Sequence, residues 1–239
     1  MAGHSHWAGI KHHKAAQDKK RSKHFSKFSK AIMVAAKEGG GDPDQNLALR
    51  YAIDRAKAGN MPNDSIDRAI KKGTGEDSDR RFEEVVYEGY GTGGVAIMVE
   101  ALTDNRNRTA PEMRFLFSKH GGNMANQGAV SFMFDRQGLL AVEGADFDEV
   151  FMVAAEAGAE DVVDEEGMIA ITTPPELFHA VKNALTAKDY TLSTAELAYV
   201  PQNYVTPEAK DVKSIENLLN ALEDNDDVQA VHHNFQPAE

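Results

Sequence analysis

The chain of 239 residues has 41% hydrophobic and 27% charged side chains, an ordinary globular balance that excludes wholesale disorder. No run of about 18 apolar residues offers a membrane span, no apolar core follows Met1 to make a secretory signal, and the absence of cysteine excludes disulfides and thiolate chemistry and suits a reducing cytoplasm. The net charge of −12 is unevenly spread: residues 1–30 balance to +7 with five histidines besides, residues 1–120 to +5, and residues 121–239 to −17.

The period of Phe25, Phe28, Ile32 and Ala35 predicts a helix over Lys14–Lys37, ended by Gly39-Gly40-Gly41. A second helix is expected over Pro43–Ala58, with Leu49, Ala52, Ile53 and Ala56 on one face. A third begins at an Asn63 cap and presents Ile66, Ala69 and Ile70 before Gly73. The polar run Gly73–Asp79 reads as a domain boundary. From Phe82 the period changes, and Phe82–Tyr90 and Val95–Leu102 predict a hairpin about a glycine cluster. Thr109 and Glu112 read as a capping box opening a helix to Gly121. Val130–Phe134 and Leu139–Val142 read as strands about an Arg136-Gln137-Gly138 turn. Asp146 caps a further helix ending near Gly158, and a hairpin follows over Val162–Thr172. Thr173-Pro174-Pro175-Glu176 opens a helix, Thr191–Val200 is a strand, and Pro201–Pro207 is a linker. A helix through Ile215, Leu218, Leu219 and Leu222 and a strand over Val228–His233 complete the chain.

Residues 139–200 thus have the β-α-β-β-α-β order of a ferredoxin-like unit. The flanking elements complete one another as β-β-α-β-α-β. The expected architecture is a multidomain α+β protein in which an N-terminal helical domain precedes two ferredoxin-like α+β domains, one inserted in the other. The expected boundaries are 1–78, 79–138 with 204–239, and 139–203.

Most motif matches give way to plainer readings. Gly89–Gly94 fits G-x-G-x-x-G, but a strand follows it rather than a helix N-terminus, so a hairpin loop is expected. Asp42, Asp44 and Asn46 have the spacing of calcium-loop ligands, yet Leu47 and Ile53 stand where that loop needs Gly and Glu, which favours helix capping. The acids Glu223, Asp224, Asp226 and Asp227 read as a solvated helix end. After loss of Met1, Ala2-Gly3-His4 has the donors of a square-planar Cu(II) or Ni(II) site, though such tripeptides arise by chance. His4, His6, His12, His13 and His24 read better as proton-dependent charge. With no nucleophile–base pair or metal set, neither enzymatic activity nor a cofactor is expected.

The richest chemistry lies at the N-terminus. Lys11, Lys14, Lys19, Lys20, Arg21, Lys23, Lys27 and Lys30 suit phosphates, and Trp7 offers a stacking face. The bland alternative is a solvated helix face. Arg106 and Arg108, at the mouth of a predicted helix, suit a second phosphate contact. The second helix holds only Arg50, Arg55 and Lys57 as cations, a poor match to a basic recognition helix.

Gly3–Trp7, Lys14–Lys19, Gly39–Pro43, Tyr87–Gly91, Thr103–Thr109, Gly158–Asp161 and Leu222–Gln229 resemble sequence blocks of the YebC/PmpR family, spread over the whole chain. The chain departs from that pattern with His6, Gly9 and His13 where Lys, Asn and Arg are usual, and with Thr92 where Pro is usual. The resemblance implies a cytoplasmic, non-enzymatic regulator of gene expression with three domains and no cofactor. Bacterial members are described as DNA-binding transcriptional regulators, the mitochondrial relative activates translation of cytochrome oxidase, and bacterial relatives are also connected with stalled ribosomes. Transcriptional control through DNA is the first expectation. An rRNA-binding translation factor is the rival. Neither oligomeric state nor target sequence follows from the residues.

Overall fold

The structure is a computed structural model and describes residues 21–75, 82–165 and 167–237. In chain order its elements are helices α1 (Arg21–Gly39), α2 (Leu47–Ala58) and α3 (Asn63–Thr74), strands β1 (Glu83–Tyr90) and β2 (Ala96–Thr103), helix α4 (Arg106–Lys119), and strands β3 (Asn123–Met124) and β4 (Phe134–Glu143). There follow α5 (Phe147–Glu156), β5 (Asp161–Glu165), β6 (Met168–Thr173), α6 (Phe178–Thr186), β7 (Leu192–Pro201), α7 (Ala209–Glu223) and β8 (Val228–His233). Phe132–Tyr204 is one compact unit, and the flanking chain up to Ser131 and from Val205 is the other. Among the described residues no helix is long and apolar enough to cross a membrane.

The first three helices close around Ile32, Leu49, Ile53, Ala56 and Ile66. One side chain joins α1 to α2. The Asn46 carbonyl accepts from the N–H of Leu49, and its amide donates to the carbonyls of Ala35 (2.7 Å) and Gly40 (2.8 Å). It caps one helix while satisfying carbonyls around the end of the other. Helix α2 therefore starts at Leu47, not at Pro43, which belongs to a turn organised by Asp42. That carboxylate accepts from the Asp44 N–H and the Gln45 side chain, so Asp42 and Asn46 are turn and cap residues. Helix α3 also departs from expectation. It follows Pro62 without a side-chain cap and runs through Gly73 to Thr74. A Cβ at Gly73 would fall 2.5 Å from the Met33 carbonyl, so this glycine permits close approach of α1 and α3 rather than ending a helix.

In the outer unit β1 and β2 form the expected antiparallel hairpin, and the four-stranded sheet has the order β3-β1-β2-β8. Its loop is a short 3₁₀ turn, Thr92–Gly94, with Gly93 and Gly94 at positive φ, and it leads into a strand. Met113 and Phe117 of α4 and Ile215, Leu218 and Leu222 of α7 bury one face of this sheet. Because the opening hairpin lies at the centre, this sheet does not have the ferredoxin strand order. The inserted unit does: β4-α5-β5-β6-α6-β7 folds into an antiparallel sheet of order β5-β6-β4-β7. Here Arg136–Gly138 is no turn. It lies inside β4, with Arg136 opposite Tyr199 and Gly138 opposite Leu197. A Cβ at Gly138 would strike Phe178 of α6, so the glycine makes room for a helix. The expected strand at Val130 is instead loop and a 3₁₀ turn, Ser131–Met133.

That loop is held by a carboxylate from β1. Glu88 is 3% exposed and accepts the N–H groups of Gly128 (2.7 Å), Val130 (2.7 Å) and Ser131 (2.9 Å). Burial alone would raise its pKa; the three amides outweigh burial and lower it. Glu88→Gln puts a donor where only acceptors fit and is expected to cost about 1–3 kcal/mol in urea unfolding. Unchanged stability would show that the carboxylate does not hold the loop.

Candidate nucleic-acid interface

Of the arm residues, Trp7, Lys11, Lys14, Lys19 and Lys20 lie outside the described residues, while Arg21 and Lys23 belong to the opening of α1. Lys27 and Lys30 differ from expectation. Both turn toward the acidic segment after α7 instead of toward solvent. Lys27 is 7% exposed and donates its ammonium to the Glu223 carbonyl. Burial lowers its pKa to about 8, even though Glu223, Asp226 and Asp224 favour its charge. Lys30 donates to the Asp226 carbonyl (3.0 Å) and to Oδ1 of Asp227 (2.8 Å). These ammonium groups meet the carbonyl end of a helix, where cations are favoured. They are engaged within the protein.

Asp227 is the centre of this network, and the reading of residues 223–227 as a solvated helix end missed it. It is 5% exposed. Besides Lys30, its carboxylate accepts from Arg108 (2.7 Å) and from the hydroxyl of Thr109 (2.8 Å), which also contacts Thr103 at 2.7 Å. Burial would raise the Asp227 pKa, but the hydrogen bonds from Lys30, Arg108 and Thr109 bring it down to about 2. The two blocks Thr103–Thr109 and Leu222–Gln229, far apart in the chain, thus converge on one carboxylate. Their charge complementarity was the available signal.

This geometry revises the start of α4. Asn105 is the cap, its side chain accepting from the Arg108 N–H, and Thr109 is a buried residue of the first turn rather than a cap. Arg108 commits its guanidinium to Asp227 and Asp104. The adjoining cleft, of about 440 Å³, is lined by Lys30, Arg108 and the carboxylates of Asp104, Glu112, Asp224, Asp226 and Asp227. An excess of negative charge repels phosphate, so Arg108 does not stand in an anion site. Arg106 is different. It makes one exposed ion pair, 3.6 Å from Glu83, and such a pair contributes little.

Other exposed cations were not assigned phosphate contacts from the sequence. Arg55, Lys57, Lys71 and Lys72 lie on the outside of α2 and α3, and Arg114 and Lys119 on the outside of α4. Arg50, by contrast, donates to the carbonyls of Pro43 and Asp44. The signal was available for α4: Phe115 falls off the buried stripe of Met113 and Phe117 and is 60% exposed.

Residues 5–76 match the family model described as the TACO1/YebC protein N-terminal domain, and residues 82–235 match the TACO1/YebC second and third domain. The probable transcriptional regulatory proteins of Kosmotoga olearia and Natranaerobius thermophilus are 54% and 52% identical to this chain, covering 99% and 98% of it and 94% and 96% of their own length. The crystal structure of a conserved hypothetical protein from Aquifex aeolicus is similar with a TM-score of 0.81 and 45% identity, over 92% of each chain. The two family models meet where the helical bundle gives way to the first sheet, and between them they span all the residues named above whose contacts converge on Asp227: the chain belongs to the TACO1/YebC family.

Proposed function

We propose that this protein is a non-enzymatic, cytoplasmic, nucleic-acid-binding regulator of gene expression, acting first as a DNA-binding transcriptional regulator. The full-length similarity to proteins named probable transcriptional regulatory proteins carries this reading. In it, the basic arm and the helical bundle hold phosphates, while the acidic α+β units limit where the protein docks. The division at 1–78, 79–138 with 204–239, and 139–203 serves as the working plan: one part for the polyanion and two for placement.

A second reading, an rRNA-binding translation factor, draws on a specific observation. Helix α2 offers duplex DNA little to read with, because Arg50 is tied to Pro43 and Asp44, leaving Arg55 and Lys57 as its other cations. Binding of the intact chain to duplex DNA and to purified ribosomes separates the two. The first reading expects sequence-selective duplex binding and no sedimentation with ribosomes. Ribosome binding with indifferent, weak duplex affinity overturns it in favour of the second.

A further inference from the structure

The segment Arg106–His120 carries four cations, Arg106, Arg108, Arg114 and Lys119, against the single acid Glu112, while residues 121–239 balance to −17. Its inner face buries Thr109, Met113 and Phe117. Phe115 lies about 200° round the helix from both Met113 and Phe117, and its ring is 60% exposed. The Lys119 ammonium stands 5.7 Å from the centre of that ring, and Arg114, adjacent in the chain, is exposed. A large aromatic surface is thus left in water, flanked by cations, on a helix anchored through its other face.

We infer that the outer face of α4 is a contact for single-stranded nucleic acid, in which Phe115 stacks on an unpaired base and Arg114 and Lys119 hold the adjoining phosphates. The inference rests on the nucleic-acid reading above and adds to it a site outside the arm. Charge selects the ligand: a cationic helix face on a chain of net charge −12 fits a polyanion. The ring selects its form. Base faces are hidden within a duplex and accessible in single strands, loops and bulges. Lys119 lies over part of the ring, 5.7 Å from its centre, leaving the remaining surface for a base.

The test uses the intact chain and fluorescence anisotropy with a labelled oligouridylate and an oligothymidylate of about 12 nucleotides, within the range of known single-strand site sizes, beside a duplex of matched length. Phe115→Ala is expected to weaken single-strand binding by about tenfold and to leave duplex affinity unchanged. Phe115→Leu should lose nearly as much and Phe115→Trp should restore binding, because a base needs an aromatic face. Arg114→Ala should lower the salt slope by about 0.7. The two oligonucleotides distinguish RNA from DNA as the source of the strand. Because Phe115 is exposed, thermal midpoints should match the parent chain.

Full single-strand affinity in Phe115→Ala overturns the inference. Loss in the alanine variant with retention in the leucine variant also overturns it, in favour of an apolar protein contact. Equal weakening toward duplex and single strand overturns the stacking role. If arm substitutions weaken both ligands while Phe115 variants do not, this inference alone fails. If the parent chain binds neither ligand, it falls together with the nucleic-acid reading.

Discussion

Asp227→Asn is expected to destabilise the protein by about 2–4 kcal/mol at neutral pH. The magnitude follows from the network. The folded carboxyl has a pKa of about 2 against an ordinary value of 3.8, and each pKa unit corresponds to about 1.4 kcal/mol of preference for the ionised form. Removing the charge also leaves the Lys30 ammonium, 21% exposed, without its carboxylate. Arg108 keeps Asp104 at 3.0 Å and stays half exposed, so the larger loss falls on Lys30 and on the buried hydroxyl of Thr109. For a chain of this length such a change should lower the thermal midpoint by about 5–10 °C.

The same residue sets an acid limb. A carboxyl whose folded pKa lies below its unfolded value contributes stability that is complete above the unfolded pKa and is lost as pH falls through the folded one. For Asp227 that window runs from about pH 4 down to about pH 2. The parent chain should lose about 2 kcal/mol of this contribution across the window, and Asp227→Asn should lack that part of the dependence. Asp226→Asn, at an exposed neighbour whose carbonyl rather than carboxylate receives Lys30, is the control and should change stability little. Calorimetry of the three proteins at neutral and acid pH decides. Coincident midpoints at neutral pH would show that the network does not hold these elements.

Much of the fold was legible because local rules and packing agree. The hairpin about Gly93 and Gly94, the Asp146 cap of α5 and the order β-α-β-β-α-β all follow from turn chemistry and periodicity. Three of the departures share one cause: a glycine or threonine whose role is tertiary. Gly73 and Gly138 look like breaks in sequence, but their missing Cβ atoms admit the Met33 carbonyl and the Phe178 ring. Thr109 has the spacing of a cap, but its hydroxyl is spent on a carboxylate 118 positions away. The candidate site was less legible, for the same reason. Phe28, Ile32 and Ala35 mark one buried face of α1, which leaves Lys27 and Lys30 on the side that periodicity assigns to solvent. That side is itself buried in part, as Val34 at 9% and Lys27 at 7% record. A charged residue on a polar face has the same pattern whether it meets a phosphate, water or a distant carbonyl.

The arm cations that remain give the largest expected effect on binding. Changing Lys19, Lys20, Arg21 and Lys23 together to Ala should lower the slope of log affinity against log salt by about 3–4 on duplex DNA, since each neutralised phosphate releases about 0.9 counterion. At a salt concentration near 0.1 M that corresponds to a loss of about 10³-fold if all four meet phosphates. Lys27 and Lys30 predict the opposite pattern. Their ammonium groups are already engaged by the Glu223 and Asp226 carbonyls and the Asp227 carboxylate, so Lys27→Ala and Lys30→Ala should lower thermal stability while leaving the salt slope of the folded protein nearly unchanged. The contrast guards against a general charge effect, because each substitution removes positive charge from the same helix or its approach. Salt titrations of the quadruple variant and the two single variants, each checked for native secondary structure, separate the roles. If the quadruple variant keeps both its affinity and its slope, the arm is not the binding surface, and the polyanion must be held by the outer cations of the helical bundle and α4.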